Sequence, residues 1–341
     1  MTNVEPIAFG KRFLGPGHPV VIIAEIGINH EGSADTCALM IEAAVRAGAD
    51  AVKLQSADPD EHYMPGTESH TIYTRAMLAP AQTAAMFALA KRMDVEILTT
   101  CGDPPTMNFI ETLDPAAHKI SSGMLGHLPM IRRFAASGRP ILFSSGMADL
   151  ADIDAGINTA RDHGARHIAI MQCVSLYPAP AEKMNLRVME SFRARYGIPV
   201  GLSDHTIGHE VASLAVAAGA NVIEKHFTLD RGRPGYDHRI SMEPGEFKTL
   251  VQTIRRTETI LGDGSKTMTE AELAIRDRYA RRLVVRTAMP AGKVIEATNI
   301  TIMRSPPGTD GIRSTDFDKV LGRKTRRALD RFAILAEDDL N

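Results

Sequence analysis

The sequence predicts an α/β protein: a closed (β/α)₈ barrel followed by a small C-terminal domain of a different texture. Three observations carry this. Eight short β-branched runs alternate with longer amphipathic segments between about residues 20 and 262. Strands that alternate with helices pair in parallel, and eight such units close on themselves. The chain has 341 residues, enough for a barrel of about 250 residues and an appendage.

The predicted strands cover 20–26, 51–54, 95–99, 117–120, 140–143, 167–171, 199–202 and 222–225. Between them, helical patterns run through 34–46, 81–92, 150–163 and 209–218. Arg46-Ala47-Gly48 and Ala217-Ala218-Gly219 put glycine just past a last helical turn, where a left-handed cap is favoured. An open doubly wound sheet is the alternative. It would carry a glycine-rich fingerprint after its first strand, and Gly27-Ile28-Asn29-His30-Glu31-Gly32 does not fit one. The segment 57–79 reads as a long polar loop with Tyr63, His70 and Tyr73, suited to a lid or rim. Residues 1–262 form the predicted barrel domain, 263–281 a charged linker with a helical stretch at 270–279, and 282–341 a compact tail. That tail has strands at 283–285 and 300–303. At about 60 residues it is near the lower limit for independent stability, so it is expected to dock on something.

Lys and Arg number 39 against 41 Asp and Glu, a formal net charge of -2. No bulk attraction to nucleic acid or an anionic membrane follows, and an anionic substrate must be met by locally placed cations. No apolar run near the start is long enough for a membrane span or signal core, so a cytoplasmic protein is expected. Cys37, Cys101 and Cys173 are too few and too widely spaced for a disulfide framework or zinc finger. Cys101 and Cys173 read as small buried residues.

In a barrel of this kind the reactive groups sit at the C-terminal strand ends. Those positions hold Glu25, Lys53 with Gln55, Thr100, Lys119 with Ser122, Ser144, Ser175 with Tyr177, Ser203-Asp204-His205, and Lys225-His226. Every strand contributes. Lys53 and Lys119 lie inside apolar runs, and lysine is rarely buried alone; each must meet a bound phosphate or carboxylate, or a structural ion-pair partner. The serines and Thr100 are either strand-end caps or donors ringing a phosphate. His205 and His226 follow adjacent strands, with Asp204 and Glu25 near. That pair reads either as packed imidazoles or as ligands of a divalent ion, Mn²⁺ suiting two imidazoles and oxygen donors better than Mg²⁺.

At these residues the chain resembles the sialic acid (N-acetylneuraminate) synthase family, which includes legionaminate and pseudaminate synthases. The matching stretches are Ile22-Ile23-Ala24-Glu25-Ile26-Gly27-Ile28-Asn29-His30, Ala51-Val52-Lys53-Leu54-Gln55, Gly201-Leu202-Ser203-Asp204-His205-Thr206 and Glu224-Lys225-His226-Phe227. The tail resembles the family's antifreeze-like (SAF-type) domain, with Arg304 and Gly311-Ile312 at its motif positions. The resemblance implies condensation of phosphoenolpyruvate with an open-chain N-acyl amino sugar. It implies Mn²⁺, with Mg²⁺ or Co²⁺ as substitutes, on His205 and His226. Phosphoenolpyruvate would be held by Lys53, Thr100, Lys119, Ser122, Ser144, Ser175 and Ser203. The sugar would meet Gln55, Tyr177 and Asp237, with Glu25 as acid/base or partner of a metal-bound water. A domain-swapped homodimer is implied too, Arg304 reaching the partner's sugar site.

Three places depart from the family pattern. Met124 stands where a sugar-contacting Glu is common, Ser175 replaces an Asn, and Thr99-Thr100-Cys101-Gly102-Asp103 and Tyr236 are unusual. A thioether accepts no sugar hydroxyl bond, so either the sugar is less hydroxylated, such as a 6-deoxy diacetamido hexose, or another group replaces the contact at Met124. Two other readings compete: a related barrel acting on a phosphorylated sugar, for which no further Arg/Lys cluster is evident, and a silent carbohydrate-binding protein, against which Lys53, Lys119, His205 and His226 stand.

Overall fold

A computed structural model describes residues 4–341. It divides into two units, residues 1–262 and 263–341. The first unit begins with a hairpin of β1 (Ile7–Phe9) and β2 (Arg12–Leu14), paired antiparallel. Eight parallel strands follow: β3 (Val21–Gly27), β4 (Ala51–Ser56), β5 (Glu96–Cys101), β6 (His118–Ile120), β7 (Ile141–Ser144), β8 (Ile168–Cys173), β9 (Val200–Asp204) and β10 (Val222–His226). They close in chain order, β10 pairing with both β9 and β3. The closed eight-stranded barrel is therefore as the alternation predicts.

The intervening helices are α1 (Ala34–Ala47), α2 (Pro59–His62), α3 (Glu68–Ala76), α4 (Pro80–Arg92), α5 (Pro104–Glu111), α6 (Leu128–Ala136), α7 (Leu150–Asp162), α8 (Val188–Tyr196), α9 (Glu210–Ala217) and α10 (Pro244–Leu261). Among the described residues, no helix is long and apolar enough to cross a membrane. Caps fix several starts: the Ser33 hydroxyl accepts from Thr36 N–H, and Asp103 accepts from Thr106 N–H. The segment 57–79 is not a structureless loop. It folds as α2 and α3, started by Asp58 with Pro59 and by Thr67.

Strand alternation sorts the side chains into two cores. Outward residues such as Ile22, Val52, Ile120, Phe143 and Leu202 pack against the helices. Inward residues near the strand starts, among them Val21, Ile23, Ala51, Leu98, Leu142, Ala169 and Val222, pack with Ile7, Phe9 and Leu14 of the hairpin. The hairpin is thus a stopper at the N-terminal end of the barrel. Its three-residue strands are too short for a periodicity to reveal. Near the strand ends the inward positions turn polar.

The second unit holds α11 (Glu270–Tyr279) and the antiparallel pair β11 (Arg281–Val285) and β12 (Ile300–Arg304), with a core of Leu283, Val285, Ile300, Leu335 and Leu340.

Candidate active site

The inward polar positions line one cavity of about 370 Å³ at the C-terminal strand ends. Glu25, Lys53, Gln55, Thr100, Lys119, Ser122, Ser144, Ser175, Tyr177, Ser203, His205, His226 and Asp237 all border it. Arg304 does not. It belongs to the second unit, where its guanidinium stacks on Tyr279 at 4.7 Å.

The floor of the cavity is an ion cluster around Glu224, a residue the sequence reading passed over. Glu224 Oε1 lies 3.0 Å from Lys53 Nζ and 3.3 Å from Lys119 Nζ, and accepts from Ser203 Oγ at 3.1 Å. Lys119 also donates to Ser144 Oγ at 2.6 Å, and Lys53 Nζ sits 3.5 Å from Glu25 Oε2. Of the two alternatives for the lysines, the ion-pair partner is present in the protein itself. The signal for Glu224 was available: counting back two from His226 along a strand lands on the same face. The same alternation corrects the expected role of Asp204. It points away from the cavity and pairs with Lys225 at 2.7 Å, both side chains fully buried, so it is no neighbour of a metal at the mouth.

Burial would raise Glu224, but the Lys119 and Lys53 ammonium groups hold its carboxyl well below the usual carboxylate range. Glu25 goes the other way. Burial, with Glu224 adding to it and Lys53 opposing, pushes it up to about 7. Burial together with Lys53 lowers Lys119 despite the pull of Glu224. Two carboxylates on one floor therefore differ in protonation near neutrality, the arrangement that separates an acid/base from a fixed charge. Glu25 Oε1 accepts from Gln55 Nε2 at 2.8 Å, and Gln55 Oε1 from Tyr73 OH at 2.5 Å. Tyr73 comes from α3 and Tyr63 from the end of α2, so the segment 57–79 does wall the cavity, as its tyrosines implied. His70 is elsewhere, paired to Asp60. The unusual Gly102 has a physical reason: a Cβ there would meet the His62 ring at 2.7 Å, and His62 Nδ1 hydrogen-bonds Gly102 O at 2.8 Å.

On the opposite wall the His205 and His226 rings lie 5.3 Å apart, with the Tyr177 ring tilted against His205 at 4.2 Å. His205 Nδ1 donates to Val174 O at 3.0 Å, which leaves Nε2 as the acceptor nitrogen. His226 Nδ1 is buried with no hydrogen-bond partner, and the nearest carboxylate oxygen, Asp237 Oδ2, is 3.7 Å away. Burial and the neighbouring His205 depress His226 strongly, so it stays a neutral ligand donor. An orphaned imidazole nitrogen beside a second free one fits a divalent cation. Among the described residues no third His, Cys, Asp or Glu completes a protein ligand set, so water or substrate oxygen would fill the remaining positions.

Cys173 is buried, as the sequence predicts, but on the cavity side of its strand. Its Sγ borders the cavity, 3.5 Å from Ser122 Oγ and 3.9 Å from His205 Nδ1. Burial opposes ionisation, yet His205 draws the thiol down to about 7. Cys101 is buried on the helix side, as expected. Gly146 lies under Ser122, Ser175 and Cys173; a Cβ there would sit 2.2 Å from Ser175 Oγ and 2.6 Å from Ser122 Oγ. Only a residue without a side chain leaves room between those hydroxyls.

The NeuB family matches residues 40–266 and the SAF domain residues 280–341. The chain belongs to the NeuB family. An N,N'-diacetyllegionaminic acid synthase of Legionella pneumophila is 33% identical to it over 333 residues, 92% of this chain and 93% of that one. The N-acetylneuraminate-9-phosphate synthase of Mus musculus is 30% identical, with 92% and 90% covered. Among solved structures, the N-acetylneuraminic acid synthetase of Leptospira borgpetersenii, in complex with citrate, superposes with a TM-score of 0.76 at 30% identity, covering 80% of this chain and 97% of that one. This NeuB family member thus shares its fold with a solved N-acetylneuraminic acid synthetase, and its polar strand-end cavity is the candidate active site.

Proposed function

We propose that the protein is a nonulosonic acid synthase. It joins phosphoenolpyruvate to the aldehyde of an open-chain N-acetylmannosamine-type sugar, adds water, and releases phosphate and a nine-carbon 2-keto-3-deoxy acid. The observation that carries this reading is the meeting of Lys53, Lys119 and the His205–His226 pair in one cavity. Phosphoenolpyruvate carries a phosphate and a carboxylate. Two ammonium groups and the hydroxyls of Ser122, Ser144, Ser175 and Ser203, with Thr100, suit both. With Glu25 protonated and Glu224 charged, the floor is net cationic, which favours the incoming anion.

His205 and His226 would hold the cation, Mn²⁺ or a similar ion, whose part is to polarise the aldehyde oxygen as a Lewis acid. The chain's own residues do the rest. Lys53 and Lys119 hold phosphoenolpyruvate so that C3 faces the aldehyde carbon, while Gln55, Tyr177 and Asp237 orient the sugar. The C3–C bond forms and C2 becomes electron-poor. Glu25, protonated when the anion binds and poised near neutrality, gives its proton to the former aldehyde oxygen and takes one from the water that adds at C2. The C2–O bond to phosphate then breaks, phosphate leaving with the bonding pair and taking up the proton of the C2 hydroxyl, so that C2 becomes the ketone. Arg304 of a partner's tail in a domain-swapped homodimer would close the mouth and limit loss to water. Comparing sedimentation of the full chain with one ending near Asp263 tests that dimer.

A 6-deoxy diacetamido hexose is the second substrate reading. Buried Met124 in the cavity wall favours it, because an apolar wall suits a methyl better than a hydroxyl. Mass spectrometry of products from phosphoenolpyruvate, Mn²⁺ and a panel of N-acyl hexoses decides between the two. Absence of any condensation product across the panel would reject the synthase assignment.

A further inference from the structure

The Asp204–Lys225 pair lies on the back of the barrel wall, behind the imidazoles. Lys225 is fully buried and its Nζ donates to Asp204 Oδ2 at 2.7 Å, Thr206 O at 2.5 Å and Thr206 Oγ1 at 3.4 Å. All three of its protons end on the residues either side of His205. Asp204 Oδ1 in turn accepts from Thr206 N–H at 2.9 Å. Lys225 itself immediately precedes His226.

The β9–β10 ladder stops at this point. Its last paired positions are Lys225 and Asp204, so His205 sits one residue beyond it, while His226 keeps a pairing only on its other side, with Glu25 of β3. A buried ion pair seldom adds net stability, and its best-attested use is to fix a register. Here it takes over where the ladder ends and ties the two histidine-bearing segments together.

We propose that Asp204 and Lys225 are positioning residues: a clamp on the outer face that sets the separation of His205 and His226 and so tunes their affinity for a divalent cation. The clamp rests on the metal reading above. Its partners never touch the cation. They act by fixing the backbone from which each imidazole projects, as outer-sphere groups do for metal ligands.

The test is Mn²⁺ binding to the full chain, read from the electron paramagnetic resonance signal of free Mn²⁺. Asp204→Asn/Lys225→Met removes both charges, so no lone charge stays buried. It should weaken Mn²⁺ binding 10–100-fold while the melting temperature remains near the parent's. If that double variant does not fold, Asp204→Glu decides on the same scale. It keeps the ion pair but shifts the carboxylate by a methylene, and it too should lose affinity. Parent-like Mn²⁺ affinity in a folded clamp variant, with His205→Ala losing the ion, overturns the clamp and leaves the metal reading intact. A parent that binds Mn²⁺ no better than His205→Ala and His226→Ala overturns both.

Discussion

Lys53 and Glu224 form a 3.0 Å ion pair at the closed end of the cavity, and both side chains are about 95% shielded from solvent. Lys119 shares the same carboxylate oxygen. Removing that carboxylate leaves two ammonium groups buried side by side. Glu224→Ala should therefore lower stability by about 3–5 kcal/mol, measured by thermal unfolding. Inorganic phosphate, as a replacement anion, should recover more of the loss in this variant than in the parent.

Glu25 sets a pH dependence whose sign is opposite to the usual one for a carboxylate. Its folded pKa of about 7 lies above the ordinary 4.5, so the folded state binds the proton more tightly. That contribution is full below about pH 4.5 and disappears as pH rises through 7. Glu25→Gln should gain melting temperature relative to the parent across that window. Parallel curves for the two proteins between pH 5 and 8 would contradict it.

Gly146→Ala tests the space between Ser122 and Ser175. The backbone there is not left-handed, so alanine adds no backbone strain and acts only through its Cβ. Displacing the two hydroxyls should raise the KM for phosphoenolpyruvate at least about 10-fold, the loss of one or two hydrogen bonds to a charged group. The melting temperature should change little.

Metal removal should be reversible. Chelation is expected to abolish phosphate release, with Mn²⁺ restoring it. Mn²⁺ should also raise the parent's melting temperature by mass action, and His226→Ala should lose that increment. The unpaired His226 Nδ1 is the reason to expect this.

Much of the site was legible because barrel geometry converts strand ends into a list of candidates. The eight predicted strands lie within two residues of their observed bounds, and thirteen of the sixteen candidate site residues border one cavity; Asp204 and Lys225 face outward and Arg304 lies in the other unit. What escaped notice was which way each side chain points. Lys225 and Asp204 looked like site residues by proximity to His226 and His205, yet alternation turns them outward and brings Glu224 in. Cys173 escaped because a cysteine in an apolar strand reads the same whichever face it takes. The terminal hairpin and helices α2 and α3 are short enough that packing against the barrel, rather than local propensity, decides them.

The hairpin has a kinetic corollary. With Ile7, Phe9 and Leu14 packed across the far end, traffic among the described residues runs through the C-terminal mouth. On the proposed chemistry the anion sits deepest, over Lys53 and Lys119, so it must arrive before the sugar. The phosphate it yields queues behind the sugar acid on the way out.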